Sequence, residues 1–147
     1  MNVEERDFTG SFEHSLDDKG RLVVPRDLRD QLAPDEQLYL VPGEDNCLEL
    51  LPAIAYKERA KQRRLSSRVG GPKARMAARV FTAFADPLTI DRSGRINVPK
   101  QLRAYAGLDG PCVVNGAGEW VEIWSEARWL EALDLGSSAL ASPEDFE

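Results

Sequence analysis

A chain of 147 residues, 42% of them hydrophobic, is long enough for one ordinary domain or two small ones and apolar enough for a packed core. No apolar run reaches the length of a membrane span, and the first ten residues lack the basic-then-apolar pattern of a signal peptide, so we expect no membrane partner. The formal net charge of −6 would disfavour nucleic acid as a partner if it were spread evenly.

The charge is instead segregated along the chain. Nine Lys or Arg and a single acid, Glu58, lie between Lys57 and Arg79, whereas residues 119–147 hold eight acids and one base, Arg128. The positive field of the first segment and the negative field of the second cancel in the net charge. Each still acts at its own part of the protein surface. Overall charge therefore does not exclude a basic surface that binds DNA.

The first predicted element is a strand over residues 8–16. A tight turn follows at residues 17–20, because Asp17 can hydrogen-bond its own backbone and Gly20 accepts the positive φ that a hairpin requires. Residues 22–24 predict a second strand, and Pro25 suits the first position of a short helix.

The middle of the chain predicts helices. Residues 53–67 read as one helix, a Gly-Gly-Pro sequence at 70–72 breaks it, and residues 73–79 resume a helix that leads into a strand at 80–84. After the second half of the chain, the polar residues from Gly136 onward are expected to be disordered.

Residues 16–32 and 90–106 are copies of one unit. Aligned at an offset of 74, they are identical at seven of 17 positions, and the correspondence continues through two further strands in each half. Self-similarity at a fixed offset indicates a duplicated supersecondary unit, too small to bury its own core. We expect the copies to pack together or interleave, with a first module over residues 5–68 that includes a connector helix, a second over 73–135, and a disordered acidic tail over 136–147.

Comparison of the copies identifies a candidate site. The turn-forming residues of one copy, Asp17 and Gly20, recur as Asp91 and Gly94, and an arginine follows each turn. Alternation along the strands places one set of apolar residues on the core side in both copies and the two arginines on the other side. The arginines in question are Arg21 and Arg95.

Two interpretations of these arginines stay open. Each could form only a weak surface ion pair with the aspartate of its own turn. Recurrence favours the alternative, because a repeated backbone requires the Gly and Pro but does not require an outward arginine. Arginine's planar fork fits a phosphate or the edge of guanine, so Arg21 and Arg95 are candidates for base edges or nearby phosphates. Further candidate DNA-binding charges are Lys19, Arg26, Arg29, Lys100 and Arg103, with weaker ones at Lys61, Arg63, Arg64 and Arg68.

The sequence offers few candidate residues for catalysis or metal binding. His14 is the sole histidine, no phosphate-binding Walker loop or dinucleotide fingerprint is present, and Cys47 and Cys112 read as reduced, buried thiols of a cytoplasmic protein. A carboxylate site at Asp17, Asp18 and Asp91 is a third hypothesis, but the turns explain those side chains more simply. We expect no metal, no cofactor, no small-molecule substrate and no enzymatic activity.

The motifs resemble the MraZ family of bacterial transcriptional regulators. They are D-x-K-G-R-L-x-x-P-x-x-L-R at residues 17–29 and D-x-x-G-R-I-x-x-P-x-x-L-R at 91–103, with F-x-G at 8–10, C-L-E-L-L-P at 47–52, and V-E-I-W at 121–124 followed by Trp129. The resemblance implies an α+β, β-rich fold in which two tandem AbrB-like (SpoVT-AbrB) modules form a pseudo-two-fold, swapped-hairpin barrel with short helices.

The same resemblance implies a function. Members of the family bind direct repeats in the promoter of the cell-division and cell-wall operon, assemble into rings of several subunits and associate with the nucleoid. In the family, the arginine that follows this turn contacts DNA. That arginine corresponds to Arg21 in this chain and, by the repeat, to Arg95. The first motif is electrically balanced whereas the second is basic, so unequal contributions are expected, with the second copy binding phosphate better. The alternative to a DNA-binding regulator is an AbrB-like antitoxin or an oligomeric scaffold that uses its acidic tail to engage a protein.

Overall fold

The computed structural model describes residues 5–145, which form eight strands and five α-helices. The strands are β1 (Ser11–Ser15), β2 (Arg21–Val23), β3 (Leu38–Pro42), β4 (Leu48–Pro52), β5 (Asp86–Leu88), β6 (Arg95–Asn97), β7 (Pro111–Gly116) and β8 (Val121–Ser125). The helices are α1 (Arg26–Arg29), α2 (Ala53–Val69), α3 (Gly71–Phe84), α4 (Lys100–Ala106) and α5 (Glu126–Ala141). The predicted α+β class is confirmed.

Six of the strands form one antiparallel sheet in the order β1-β7-β8-β4-β3-β5. Strands β1, β3 and β4 come from the first copy of the repeat, and β5, β7 and β8 are their counterparts in the second. If each strand is replaced by its counterpart, the strand order reads in reverse. The sheet is therefore symmetric about the β4–β8 pair, where Glu49 lies opposite Glu122. Because β1 pairs with β7 and β5 pairs with β3, the two copies interleave.

The closed barrel implied by the family resemblance is not seen. Strands β1 and β5 lie at opposite ends of the sheet and do not pair with each other within residues 5–145. The remaining strands, β2 and β6, form a separate two-stranded ribbon. The helices are also longer than the resemblance implied, because α2, α3 and α5 contain 17, 14 and 16 residues.

The strand predicted at residues 80–84 is wrong, because these residues complete α3. The run Val-Phe-Thr-Ala-Phe has strand-like composition, but burial follows a helical period: Ala74, Ala78, Phe81 and Phe84 are the more buried positions, three or four residues apart. Phe81 packs against the sheet through a cluster with Val41 and Leu51, and this tertiary contact overrides the local propensity.

The predicted disorder from Gly136 is also wrong over residues 136–141, which belong to α5. Ser125 caps this helix, its hydroxyl accepting a 3.2 Å hydrogen bond from the Arg128 backbone N–H. Ala139, Leu140 and Ala141 are strong helix formers that offset the cost of about 1 kcal/mol for the helical glycine. The last two residues of the predicted tail, Phe146 and Glu147, lie outside the described part of the chain.

The two faces of the six-stranded sheet are covered by different elements. Leu38 and Leu40 of β3 join the main core with Leu22, Leu28 and their counterparts Ile96 and Leu102, so the β2–β6 ribbon, α1 and α4 cover this face. Tyr39 and Val41 alternate to the other face and pack with Ala60 and Phe81, so α2 and α3 cover that one. The ribbon and the α2–α3 hairpin therefore lie on opposite faces of the sheet.

Both cysteines are buried and free, as predicted. Burial raises the pKa of Cys112 to about 11 and raises that of Cys47 further, so neither thiol is activated as a nucleophile. Within residues 5–145, no helix is both long and apolar enough to cross a bilayer, and no group of three or more His, Cys, Asp or Glu is placed to hold a metal ion.

Candidate nucleic-acid interface

The β2–β6 ribbon carries the two arginines that follow the turns. Its register sets Arg21 opposite Asn97 and Val23 opposite Arg95. Directly opposed residues share a face of an antiparallel ribbon, so these four side chains lie on one face. Leu22 and Ile96, only 1% and 2% exposed, alternate to the other face and enter the core.

Each turn is built around one aspartate. Asp17 Oδ1 accepts hydrogen bonds from the backbone N–H groups of Lys19 (2.9 Å) and Arg21 (2.8 Å). Asp91 Oδ1 does the same for Ser93 and Arg95, both at 2.9 Å. The backbone hydrogen bond from the arginine N–H is the largest cause that lowers the pKa of each aspartate. The aspartates therefore hold the turns as anions, which is the turn-forming role predicted for them.

The glycines close the turns. The Gly20 N–H donates to the Asp17 carbonyl at 3.0 Å, and the Gly94 N–H donates to the Asp91 carbonyl at 2.9 Å. Their φ angles, +79° and +77°, lie in the left-handed region that disfavours any side chain. The sequence-based assignment of both glycines to tight turns fits this geometry.

The surface ion pairs considered above are present. Arg21 Nε donates to Asp17 Oδ2 at 2.8 Å, and Arg95 Nε donates to Asp91 Oδ2 at 3.3 Å, with the arginine side chains 35% and 32% exposed. These bonds use Nε alone. The Nη atoms of both arginines have no hydrogen-bond partner among the described residues, so the outer edge of each guanidinium is available to a phosphate or a guanine base.

Arg29 and Arg103 lie elsewhere than predicted. The sequence places both on or near the exposed face of their helices, whereas each is half-buried against the turn of the other copy. A Cβ added to Gly94 would lie 2.6 Å from Arg29 Cζ, and one added to Gly20 would lie 3.0 Å from Arg103 Cζ. The interleaving brings them there, and repeat comparison alone cannot reveal a contact between copies.

The other predicted charges are exposed. The Arg26 side chain is 82% exposed and contacts Asp30 at 3.7 Å, a long and weak ion pair. Lys19, within the first turn, and Lys100, at the start of α4, are also exposed. These three side chains remain available for phosphate contacts. Sequence reasoning left out Asn97 as a candidate, although strand alternation already placed it on the arginine face.

The connector charges belong to a different surface. Arg63, Arg64, Arg75 and Arg79 line a groove of about 500 Å³ between α2 and α3, on the sheet face opposite the ribbon. Lys61 and Arg68 are exposed on α2 as well. The structure therefore separates the weaker sequence candidates from the two arginine turns.

The polar cluster at the centre of the sheet satisfies itself. Buried Glu49 accepts a 2.5 Å hydrogen bond from Arg59, and the Arg59 guanidinium lies 4.5 Å from the Trp120 ring centroid. Burial raises the pKa of Glu49, and neighbouring Glu122 adds to the effect, while Arg59 opposes it. Glu122 in turn accepts the indole N–H of Trp124 at 3.0 Å. Each of the two carboxylates therefore has a hydrogen-bond donor within the cluster.

The fold and the ribbon define a class: an α+β protein built from two interleaved copies of one turn–strand–helix unit, each bearing an outward arginine. Comparison with known proteins gives the family. The family model described as "MraZ protein, putative antitoxin-like" matches residues 8–79 and 81–142, one match for each copy of the repeat. The chain belongs to the MraZ family.

Individual relatives agree with the family model. A "Transcriptional regulator MraZ" of Corynebacterium kroppenstedtii is 41% identical over 138 residues, which cover 94% of each chain. A protein of the same name from Roseiflexus sp. is 37% identical over 91% of this chain and 94% of its own. Another from Nocardioides sp. is 42% identical over 84% of each chain. The similarity extends over nearly the whole chain and so includes both turns.

Proposed function

We propose that this protein is a sequence-specific, DNA-binding transcriptional regulator and not an enzyme. The observation that carries the proposal is the pair of equivalent turns on one ribbon, each presenting an arginine whose outer edge has no partner among residues 5–145. The names of the relatives, "Transcriptional regulator MraZ", support the same function.

The ribbon suits a DNA groove in size. A major groove is about 12 Å wide and admits a two-stranded ribbon. Arg21 and Arg95 are diagonal neighbours across β2 and β6, which sets their backbones about 7–8 Å apart. Both guanidiniums can then reach base edges or nearby phosphates of one groove, while Lys19, Arg26 and Lys100 contact phosphates. The partner is double-stranded DNA.

The finer features follow from the family resemblance. We assign the interleaved copies to the swapped-hairpin SpoVT-AbrB class, with modules over residues 5–68 and 73–135. The protein assembles into a ring of several subunits in the cytoplasm, associated with the nucleoid, and binds direct repeats in the promoter of the cell-division and cell-wall operon. A ring has a physical advantage, because each bound subunit raises the effective concentration of the next at a neighbouring repeat.

The proposal is tested by binding to promoter DNA. Gel shift and fluorescence anisotropy at several salt concentrations compare the wild type with Arg21→Ala/Arg95→Ala. The matched control is Arg64→Ala/Arg75→Ala, which removes the same charge from the opposite face of the sheet. Loss of two specific arginine contacts should weaken binding at least about thirtyfold.

The control variant should bind within about threefold of the wild type, because its arginines lie away from the ribbon. If the double turn variant binds as tightly as the wild type, with its fold and oligomer size intact, the site assignment is wrong. Co-purification of a stoichiometric small protein, with no affinity for promoter DNA, would instead favour the antitoxin or scaffold alternative.

A further inference from the structure

We infer that Arg29 and Arg103 are positioning residues, each of which holds the DNA-binding turn of the opposite copy. Each arginine turn then works only with the helix of the other copy, so the two binding elements are composite. This inference rests on the proposed function of the turns and assigns Arg29 and Arg103 a role other than phosphate contact.

The contact is reciprocal. The Arg29 guanidinium occupies the space above Gly94, where an added Cβ would lie 2.6 Å from its Cζ, and the Arg103 guanidinium occupies the space above Gly20 at 3.0 Å. The backbone repeats the exchange: the Val24 N–H donates to the Gly94 carbonyl and the Val98 N–H donates to the Gly20 carbonyl, both at 2.8 Å. Each turn is therefore held on two sides by the other copy.

Burial of the Nε atoms supports a positioning role for these guanidiniums. The Nε atoms of Arg29 and Arg103 are buried without a hydrogen-bond partner among residues 5–145. An unpaired buried donor is unfavourable, and a merely surface-seeking arginine would turn outward to water. The Nε edge of each guanidinium is therefore committed to the glycine of the other copy and closed to a phosphate.

The geometry requires arginine rather than any cation. A guanidinium is planar and weakly hydrated, so it can lie flat on a glycine backbone that offers no side chain. A lysine ammonium is compact and strongly hydrated and would leave the space above the glycine empty. Because Arg95 follows Gly94 directly and Arg21 follows Gly20, a loosened turn misdirects the arginine that contacts DNA.

Salt dependence separates positioning from phosphate contact. Affinity falls as salt rises, and each lost phosphate contact makes the slope of log affinity against log salt concentration less steep by about 0.9. A positioning residue acts through another side chain, so its replacement lowers affinity even when its own charge is kept. The charge-preserving variants Arg29→Lys and Arg103→Lys would keep a phosphate contact and most of the affinity, whereas a positioning role predicts a clear loss of affinity at unchanged slope.

The experiment measures three quantities for Arg29→Lys and Arg103→Lys: promoter affinity, salt slope and amide hydrogen exchange of the free protein. The matched control is Arg26→Ala, an exposed charge on the same helix as Arg29. We expect Arg29→Lys to lose about tenfold in affinity at unchanged slope, the size of one weakened arginine contact. Amide hydrogen exchange in this variant should become faster at Ser93 and Arg95, which lie in the other copy.

Arg103→Lys should show the mirror image, with faster exchange at the amides of Lys19 and Arg21. The Arg26→Ala control should reduce the slope and leave both turns protected. Full affinity in both lysine variants, or faster exchange only in the variant's own copy, would overturn the inference. If a lysine variant fails to fold, the neutral variants Arg29→Gln and Arg103→Gln replace it; an unchanged slope with cross-copy exchange supports positioning, and a slope less steep by about 0.9 overturns it.

Failure of the proposed function would look different. Hydrogen exchange is measured without DNA, so the cross-copy pattern tests the contact even if the protein binds no promoter. A wild type that binds promoter DNA, depends on Arg21 and Arg95, and shows no cross-copy exchange would refute the positioning role alone.

Discussion

The two turns, at residues 17–21 and 91–95, have one backbone and two electrostatic environments. Their hydrogen bonds match closely, and the glycine bonds, for example, are 3.0 and 2.9 Å. The ion pairs differ more, because the Arg21–Asp17 distance is 2.8 Å and the Arg95–Asp91 distance is 3.3 Å. Duplication has kept the geometry that an interleaved fold requires, while the charges around it have diverged.

The charge difference is large for such short segments. Residues 16–32 carry four bases and four acids, whereas residues 90–106 carry four bases and Asp91 alone. Arg95 is also less tightly paired than Arg21 and has fewer acids near it in sequence. We therefore expect the second turn to contribute more to DNA affinity, with the first contributing mainly to geometry.

The largest effect is expected from filling the space above the second glycine. Gly94→Ala combines the strain of a positive φ with the crowding of Arg29, and should lower the free energy of unfolding by about 2–4 kcal/mol. Gly20→Ala should cost less, because its guanidinium neighbour is farther away.

Denaturant unfolding measures both values, with Gly118→Ala as the control. Gly118 has φ of +86° and no atom within 4 Å of an added Cβ, so its variant reports strain without crowding. A Gly94→Ala cost no greater than that of Gly118→Ala would contradict the packing described for Arg29.

The next largest effect is expected from replacing, one at a time, the two arginines proposed to contact DNA. Arg95→Ala should weaken promoter binding by about 1–3 kcal/mol, and Arg21→Ala should weaken it by less, because the first motif is neutral. Fluorescence anisotropy at one fixed salt concentration gives both values. An equal or larger loss in Arg21→Ala would show that local charge does not rank the two turns.

A smaller effect is expected from reducing the difference in charge between the two copies. Asp30→Asn removes the acid that contacts Arg26 at 3.7 Å and should tighten promoter binding by less than about threefold, and only at low salt. Glu58→Gln, on the α2 helix of the opposite face, is the matched control and should leave affinity unchanged. Weaker binding in Asp30→Asn would argue against a repulsive role for the acids of the first motif.

The smallest effect is a pH dependence of stability. The pKa values of Asp17 and Asp91 are lowered below the ordinary 3.8, so the folded state binds fewer protons than the unfolded chain near that pH. Their contribution is present above about pH 4 and is lost as the pH falls through the lowered pKa. Melting temperatures between about pH 2 and pH 6 should therefore fall less steeply in Asp91→Asn than in the wild type. Identical profiles would show that the turn carboxylate is not linked to folding.

Sequence reasoning succeeded where local rules decide the structure. The Asp-x-x-Gly spacing predicted both turns, and strand alternation placed Leu22 and Ile96 inward and the two arginines outward. It failed where tertiary contacts decide. Residues 80–84 look like a strand and are helical because Phe81 packs on the sheet, and the position of Arg29 depends on a neighbour 65 residues away in sequence, at Gly94.

Site-directed cross-linking shows whether the arginine face of the β2–β6 ribbon contacts DNA. The native thiols are buried, so a photo-cross-linker can be attached to Asn97→Cys on the ribbon or to Leu65→Cys on α2, across the sheet. Promoter DNA adducts are expected from Asn97→Cys, with only background levels from Leu65→Cys. Adducts formed equally from both positions, or mainly from Leu65→Cys, would contradict this contact.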